Sequence, residues 1–410
     1  MTDPAGRPLL AIGGPLDVNL VDRVRRRLTE APVPATPAAV MGAVRADPGR
    51  APLGDATLLR LTDQLYNEIV GAGPLTALLT DPQVTDVVVN GPAEIWVDRG
   101  DGMARADLAF PDADSLRRLA QRLAATCDRR LDDGCPYVDA RLPDGTRLHA
   151  VLPPIAVRGP YLSLRTFRQR ALTLDEHVQV GTVAPPAATL VQSIVEARLA
   201  YLVTGGTGSG KTTLLCTLLG LVPADERIVV VEDATELNPS HPHAVSLQSR
   251  PSNVEGVGAV TLRDLVRQAL RMRPDRLVIG ECRGAEVVDL LGALNTGHDG
   301  GAGTLHANSA RDVPARLEAL GLLGGLSRDA LHAQVAAGLQ VVLHLRRAAG
   351  VRVLDEVCLL LAAGPARLVQ AVPAWRRGTG PGPAAAALGQ LLAARGVAVP
   401  PVLDDAAGDG

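Results

Sequence analysis

The sequence predicts an α/β fold class: a mainly parallel sheet covered by helices on both faces, preceded by a smaller α+β domain. Three observations carry this. From residue 188 onward strand-like and helix-like segments alternate, the pattern of parallel strands joined by crossovers. The apolar strand Leu202-Val203-Thr204 runs directly into Gly205-Gly206-Thr207-Gly208-Ser209-Gly210-Lys211-Thr212-Thr213, a glycine-rich turn that opens a helix. Upstream, short strands interleave with amphipathic helices and read as a separate mixed domain.

At 410 residues the chain is long for one core, so several regions are expected. Residues 1–55 read as an extension, with a basic helix at Val18–Thr29 carrying Arg23, Arg25, Arg26 and Arg27, then a Pro-rich linker at Pro32–Pro52. Such a basic run is either a solvated face or a surface for lipids or acidic partners. The α+β domain is expected over 56–170. It starts with a helix from Asp55 bearing Leu58, Leu61, Leu65 and Ile69 on one side. Strands follow at Val84–Asn90 and Glu94–Asp98, a helix at Asp114–Thr126, strands around the Pro143-Asp144-Gly145 turn, and a strand at Tyr161–Phe167. Arg141, Arg147, Arg158, Arg165, Arg168 and Arg170 cluster at its end. They read either as a solvated rim or as arginines that face phosphate.

An interdomain linker is expected at 171–187 and the second domain at 188–361. Its motifs come in order. Gly205, Gly210, Lys211 and Thr212 fit G-x-x-x-x-G-K-[ST] without a mismatch. Glycines let the backbone curl around a polyphosphate with its N–H groups inward, and the helix N-terminus favours negative charge. The lysine reaches phosphate and the threonine hydroxyl holds Mg²⁺. Lys211 is the only lysine among 41 basic residues, the rest being arginine. A compact ammonium is retained at the one place where a planar guanidinium would not fit.

Two apolar strands then end in carboxylates. Arg227–Val231 leads to Glu232-Asp233 with Glu236 nearby, and Arg276–Ile279 leads to Gly280-Glu281. Carboxylates at the carboxyl ends of parallel strands face the ligand crevice. ATP hydrolysis needs one carboxylate near the metal and another to polarise water. Spacing alone leaves open which does which. Helices are expected at 261–270 and 285–295, and His298 and His306 then bracket a glycine-rich turn. With no third ligand nearby they read as phosphate-sensing or structural groups, not as a metal site. Helices at Arg311–Leu320 and Arg328–Gly338 and strands at Gln340–Leu345 and Arg352–Leu361 complete the domain. The Pro/Gly/Ala-rich residues 362–410 read as a mobile tail.

Composition removes several function classes. No run of about 18 apolar residues offers a membrane span, and Met1–Ala11 lacks a signal-peptide pattern. A net charge of −3 and 2% aromatic residues argue against a dedicated nucleic-acid binder and against base-stacking platforms. Cys127, Cys135, Cys216, Cys282 and Cys358 form no C-x-x-C pair and are expected as reduced, buried thiols of a cytosolic protein. No Leu-Ser-Gly-Gly-Gln signature is present.

With these motifs in hand, the chain resembles the type II/type IV secretion ATPase superfamily, in particular the Tad/CpaF branch that drives Flp-type pilus assembly. The resemblance rests on Gly205–Thr212, on Val231-Glu232-Asp233-Ala234-Thr235-Glu236-Leu237, on Val278–Glu286, and on the histidine box from Asn295 to Ser309. Val89-Asn90-Gly91 and Asp139–Arg147 extend it into the first domain, so that it covers roughly 56–361. It implies a RecA-like motor domain behind a PAS-like α+β domain, assembled as a homohexameric ring with ATP and Mg²⁺ between the two domains. Glu232 would activate water and Glu281 would lie on the Mg²⁺ side. His298 and His306 would couple phosphate state to domain position, and Arg147 and Arg165 would contact phosphates. The implied setting is the inner face of the cell membrane, reached through an inner-membrane platform protein. One departure is Gly301-Ala302-Gly303, where hydroxyl-bearing residues are expected and a looser turn follows. Two other readings share the motif set: the ATPase of a conjugal DNA-transfer apparatus, and a nucleotide-gated assembly protein with little turnover. The intact Glu232 and Glu281 argue against the last.

Overall fold

The computed structural model describes residues 20, 23–24, 26–28, 36–47, 55–69, 71–100, 102–166, 171–250, 252, 257–348, 350–365 and 367–404. The chain divides into two compact units, Met1–Arg168 and Gln169–Gly410. The calls on Met1–Ala11, Arg25, Arg168, Arg170 and residues 405–410 lie outside the described residues.

In the first unit, α1 (Pro37–Arg45) and α2 (Asp55–Ile69) precede a short helix α3 (Thr76–Leu79). The region read as extension and linker is therefore partly built into structure. Thr36 caps α1 by accepting from the Ala39 amide, and Pro37 at the first helical position suits a helix start. Val40 and Val44 bury against Leu20, Val24, Leu58 and Leu65. Arg23 and Arg27 are not simply a solvated face: Arg23 pairs with Asp47 at 2.9 Å and Arg27 donates to the Ala43 carbonyl at 3.1 Å.

The rest of this unit is an antiparallel sheet of order β3-β2-β1-β6-β5-β4, with one helix, α4 (Ala113–Ala125). The strands are β1 (Asp86–Val89), β2 (Ile95–Asp98), β3 (Met103–Arg105), β4 (Tyr137–Arg141), β5 (Arg147–Val151) and β6 (Tyr161–Arg165). Val87, Val97, Leu148 and Leu164 alternate inward and meet Leu116, Leu119 and Leu123 of α4. The period-two alternation puts Arg147, His149, Ser163 and Arg165 on the other face, together with the half-buried pair Val88 and Trp96.

The second unit is a nine-stranded sheet of order β15-β14-β13-β12-β7-β11-β10-β8-β9. Six strands are parallel neighbours: β12 (Val341–Ala348), β7 (Tyr201–Gly205), β11 (Ala302–His306), β10 (Arg276–Cys282), β8 (Ile228–Glu232) and β9 (Ala244–Gln248). The antiparallel strands β13 (Val351–Ala363), β14 (Leu368–Arg376) and β15 (Gly380–Pro381) extend one edge. Helices α5 (Leu174–Gln179), α6 (Pro185–Glu196), α7 (Lys211–Leu219) and α12 (Ala385–Ala394) cover one face. Helices α8 (Leu262–Ala269), α9 (Glu286–Leu294), α10 (Val313–Leu323) and α11 (Arg328–Gly338) cover the other.

Three expectations are corrected here. Residues 171–187 are not a bare linker: Thr173 and Glu176 form a capping box that starts α5, and His177 meets Thr217 of α7 at 3.0 Å. The tail is largely ordered, because Trp375, Leu388, Leu392 and Leu403 bury in the core that also holds α7. The turn expected between the two histidines is mostly the central strand β11. Its glycines answer to packing: a Cβ on Gly301 would stand 2.9 Å from the Leu277 carbonyl oxygen, and one on Gly303 would stand 3.0 Å from that of Ile279. Hydroxyl-bearing side chains have no room there. Of the cysteines, Cys216, Cys282 and Cys358 are buried whereas Cys127 and Cys135 are half-buried, and all five are free thiols.

Candidate active site

The site is built at the carboxyl ends of β7, β11, β10 and β8, the crevice end of a parallel sheet. Buried Tyr201–Gly205 delivers the chain to the loop, where Gly205, Gly208 and Gly210 hold φ of +150°, +70° and +94°. Gly210 is the left-handed N-cap of α7. A Cβ on Gly205 would strike the Leu345 carbonyl and the Ser209 side chain, so this corner admits only glycine. Gly206 and Gly208 face open space. Among the described residues the amides of Gly208, Gly210 and Thr212 donate to no main-chain carbonyl. The buried Ser209 Oγ has no hydrogen-bond partner. A cradle with amides and a hydroxyl to offer fits an anion with several acceptor oxygens. Thr207 and Thr213 flank this cradle on the loop and on the first turn of α7.

Lys211 is buried at the start of α7, and its Nζ donates to the Gly205 and Gly206 carbonyls at 3.2 and 3.0 Å. It also stands 3.4 Å from His306 Nε2. The register explains the meeting, since His306 lies opposite Gly205 where β11 pairs with β7. An ammonium has only protons to give, so Nε2 faces it as the acceptor of a neutral ring. Burial, then Lys211, pushes the His306 pKa below the ordinary imidazole value, while Glu281 pulls it upward.

Glu281 reaches the same place through a break in the ladder. Between Ile279 and Cys282 the β10–β11 register shifts, and such an irregularity re-aims a side chain. Thr304 Oγ1 donates to the Gly280 carbonyl at 2.6 Å and holds the bulge. Glu281 Oε1 then lies 3.0 Å from His306 Nε2, without the alignment of a hydrogen bond, and Oε2 pairs with Arg283. Glu232, at the end of β8, is buried, and its Oε1 accepts from the Glu236 and Leu237 amides, both at 3.0 Å. A Cβ on Gly280 would collide with its side chain. The glycine before Glu281 therefore makes space for Glu232, and the two carboxylates come from adjoining strands.

His298 is not part of this group. It precedes β11, at the far end of the strand from His306, and both its backbone N and its Nδ1 lie against the Ala293 carbonyl (3.4 and 3.2 Å). That makes it a cap for α9. The two histidines that bracket the glycine-rich segment thus stand at opposite ends of it, with His306 as the last residue of β11. Arg147 and Arg165 lie in the first unit, directly paired across β5–β6, with Arg141 opposite Arg147. Three arginines thus form one row on the sheet face away from the core.

Two residues near the loop carried no motif. Arg352, at the start of β13, donates from Nε to the Gly208 carbonyl at 3.0 Å. His344 of β12 is buried with Nδ1 2.9 Å from Thr204 Oγ1. Burial lowers its pKa against the pull of Glu356 and Asp355. Its place inside the apolar run Val341–Leu345 was the one signal available.

A family model described as "Type II/IV secretion system protein" matches residues 68–366. The chain belongs to the type II/IV secretion system protein family. A putative conjugal transfer protein of Mycobacterium tuberculosis (strain ATCC 25618 / H37Rv) is 55% identical over 350 residues, 84% of this chain and 99% of that one. The conjugal transfer protein TrbB of Rhizobium radiobacter is 33% identical over 251 residues, 60% of this chain and 75% of the relative. The solved ATPase DotB of Yersinia pseudotuberculosis has a TM-score of 0.50 at 15% identity, covering 80% of this chain and 81% of that one, a likeness of fold. Family membership and the P-loop with its two carboxylates make the chain a secretion-system ATPase with a RecA-like motor domain behind a mixed N-terminal domain. Among the described residues no helix is long and apolar enough to cross a membrane.

Proposed function

We propose that this ATPase is a Mg²⁺-dependent motor that couples ATP hydrolysis to pilus assembly or protein secretion. It would act as a homohexamer on the inner face of the membrane, docked on an inner-membrane platform protein. The observation that carries the reading is the convergence of Lys211, His306 and Glu281 at the ends of three adjacent parallel strands. The main chain from Gly205 to Thr213 binds the triphosphate. Lys211 exchanges loop carbonyls for β- and γ-phosphoryl oxygens. Thr212 and Glu281 hold Mg²⁺, whose charge would offset that developing on the phosphoryl oxygens. Glu232, oriented by two main-chain amides, polarises the attacking water. His306, next to both the lysine and the metal-side carboxylate, transmits the phosphate state to β11. Arg147 and Arg165 contact phosphates from the first domain, a role their shared row supports.

The test is ATPase rate against protein concentration for wild type and Glu232→Gln, with mass followed by light scattering. Activity that rises as a ring of about six assembles, and is lost in Glu232→Gln, is the expected result. A wild-type protein that binds ATP in assembled form without turnover overturns the motor reading.

The names of the conjugal transfer relatives favour a second reading, a motor for DNA transfer. The hydrolytic chemistry is the same, and the net charge of −3 is against direct DNA handling. DNA-stimulated, salt-sensitive ATPase activity would select it.

A further inference from the structure

The hairpin between β12 and β13 runs beside the P-loop and is basic: Arg346, Arg347 and Arg352 all lie on it. Arg347 and Arg352 stand directly opposite each other in the antiparallel ladder. They follow Leu345 and Leu354 on the sheet face that α7 covers.

Arg352 also touches the loop itself, at two points. Its Nε donates to the Gly208 carbonyl. Its aliphatic stem lies over Gly210, close enough that a Cβ there would stand 3.2 Å from Arg352 Cδ. The side chain thus spans the turn between the peptide after Gly208 and the N-cap of α7. A charged donor on the Gly208 carbonyl polarises the Gly208–Ser209 peptide and strengthens the Ser209 N–H, which donates to the Gly206 carbonyl at 3.3 Å and so closes the turn on itself. The next strand neighbour adds a second brace, because the Leu345 carbonyl is what Gly205 packs against.

We propose that Arg352 is a positioning residue of the nucleotide site. It fixes the P-loop in its phosphate-binding shape from the outer side and thereby sets nucleotide affinity, without acting on the reacting atoms. The proposal rests on the nucleotide-binding reading of the loop and adds a residue from outside the P-loop and acidic motifs.

The test measures binding of mant-labelled ADP with Mg²⁺, and KM and kcat for ATP, in full-length wild type, Arg352→Gln, Arg352→Lys and Lys211→Ala, with melting temperature as a check on folding. Arg352→Gln should weaken mant-ADP and raise KM about tenfold, the factor that corresponds to ~1.4 kcal/mol, while kcat falls less than twofold. Arg352→Lys, which keeps a charged donor, should recover about half of that loss on a logarithmic scale. Unchanged affinity in a folded Arg352→Gln overturns the proposal. So does a kcat collapse at unchanged affinity, which would make Arg352 a catalytic residue. A wild type that binds no mant-ADP overturns the nucleotide reading itself, and the Lys211→Ala comparison separates that failure from the first.

Discussion

At the amino-terminal end of β10, Arg276 is 1% exposed and faces a carboxylate. It donates to Glu226 at 2.6 Å and to the Val195 carbonyl at 3.2 Å, and Glu226 also takes Arg198 at 3.1 Å. At the carboxyl end of the same sheet Lys211 is 7% exposed, and it is held by loop carbonyls with a neutral imidazole at 3.4 Å. Both cations sit beside glycines that make room for neighbours. A Cβ on Gly300 would collide with the Arg276 guanidinium, and one on Gly205 with the loop and β12. The difference lies in where each cation sits. A cation matched to a carboxylate locks the fold, because removing the partner strands a buried charge. A cation that donates to the carbonyls of a phosphate-binding loop stands where an incoming phosphate can draw it over.

The largest expected effect falls at the open end. Lys211→Ala should reduce ATP turnover by about 10³-fold, measured as phosphate release at saturating ATP, with little change in unfolding midpoint. At the closed end the pattern should invert. Glu226→Ala should cost about 3–5 kcal/mol of stability in urea unfolding, while mant-ADP affinity stays within about twofold of wild type, small on the tenfold-per-1.4 kcal/mol scale. A folded Glu226→Ala protein that fails to bind nucleotide would erase the contrast between the two ends.

A third change separates composition from packing. Residues 362–410 look mobile because they are rich in Pro, Gly and Ala, yet Leu388 within them is fully buried beneath the sheet. Leu388→Ala should therefore cost about 3 kcal/mol, where a mobile segment would cost nothing. The same limit explains the other misreadings. The P-loop and the strand-end carboxylates were legible because their chemistry is local, with loop, helix start and acidic residue contiguous in sequence. The strand β11 was not, since Gly301-Ala302-Gly303 looks like a turn until β7 and β10 close on either side. His298 and His306 look alike in sequence, and only the direction of β11 parts them. Arg352 is one of many arginines, and its reach to Gly208 depends on a pairing 144 residues away.

The smallest effect compares two buried histidines in different parts of the second unit. His177 packs α5 on α7 with Nε2 3.0 Å from Thr217 Oγ1, and burial pushes its pKa down against the pull of Glu176. His344 lies under the P-loop strand beside Thr204, its pKa likewise lowered by burial although Glu356, Asp355 and Asp312 oppose it. In both, the folded chain refuses a proton that the unfolded chain accepts at about pH 6.5. Stability is therefore highest above that pH and falls as pH drops through it toward the lowered folded-state values. Urea midpoints should decline between pH 7.5 and 5.5, a window above the range where the carboxylates titrate. His177→Gln and His344→Gln should each flatten that decline, and the double variant should flatten it most. If His344→Gln also raises KM for ATP while His177→Gln does not, the two sites differ in kind. The contact with Thr204, one residue before Gly205, would then shape the loop, whereas the contact with Thr217 serves packing alone.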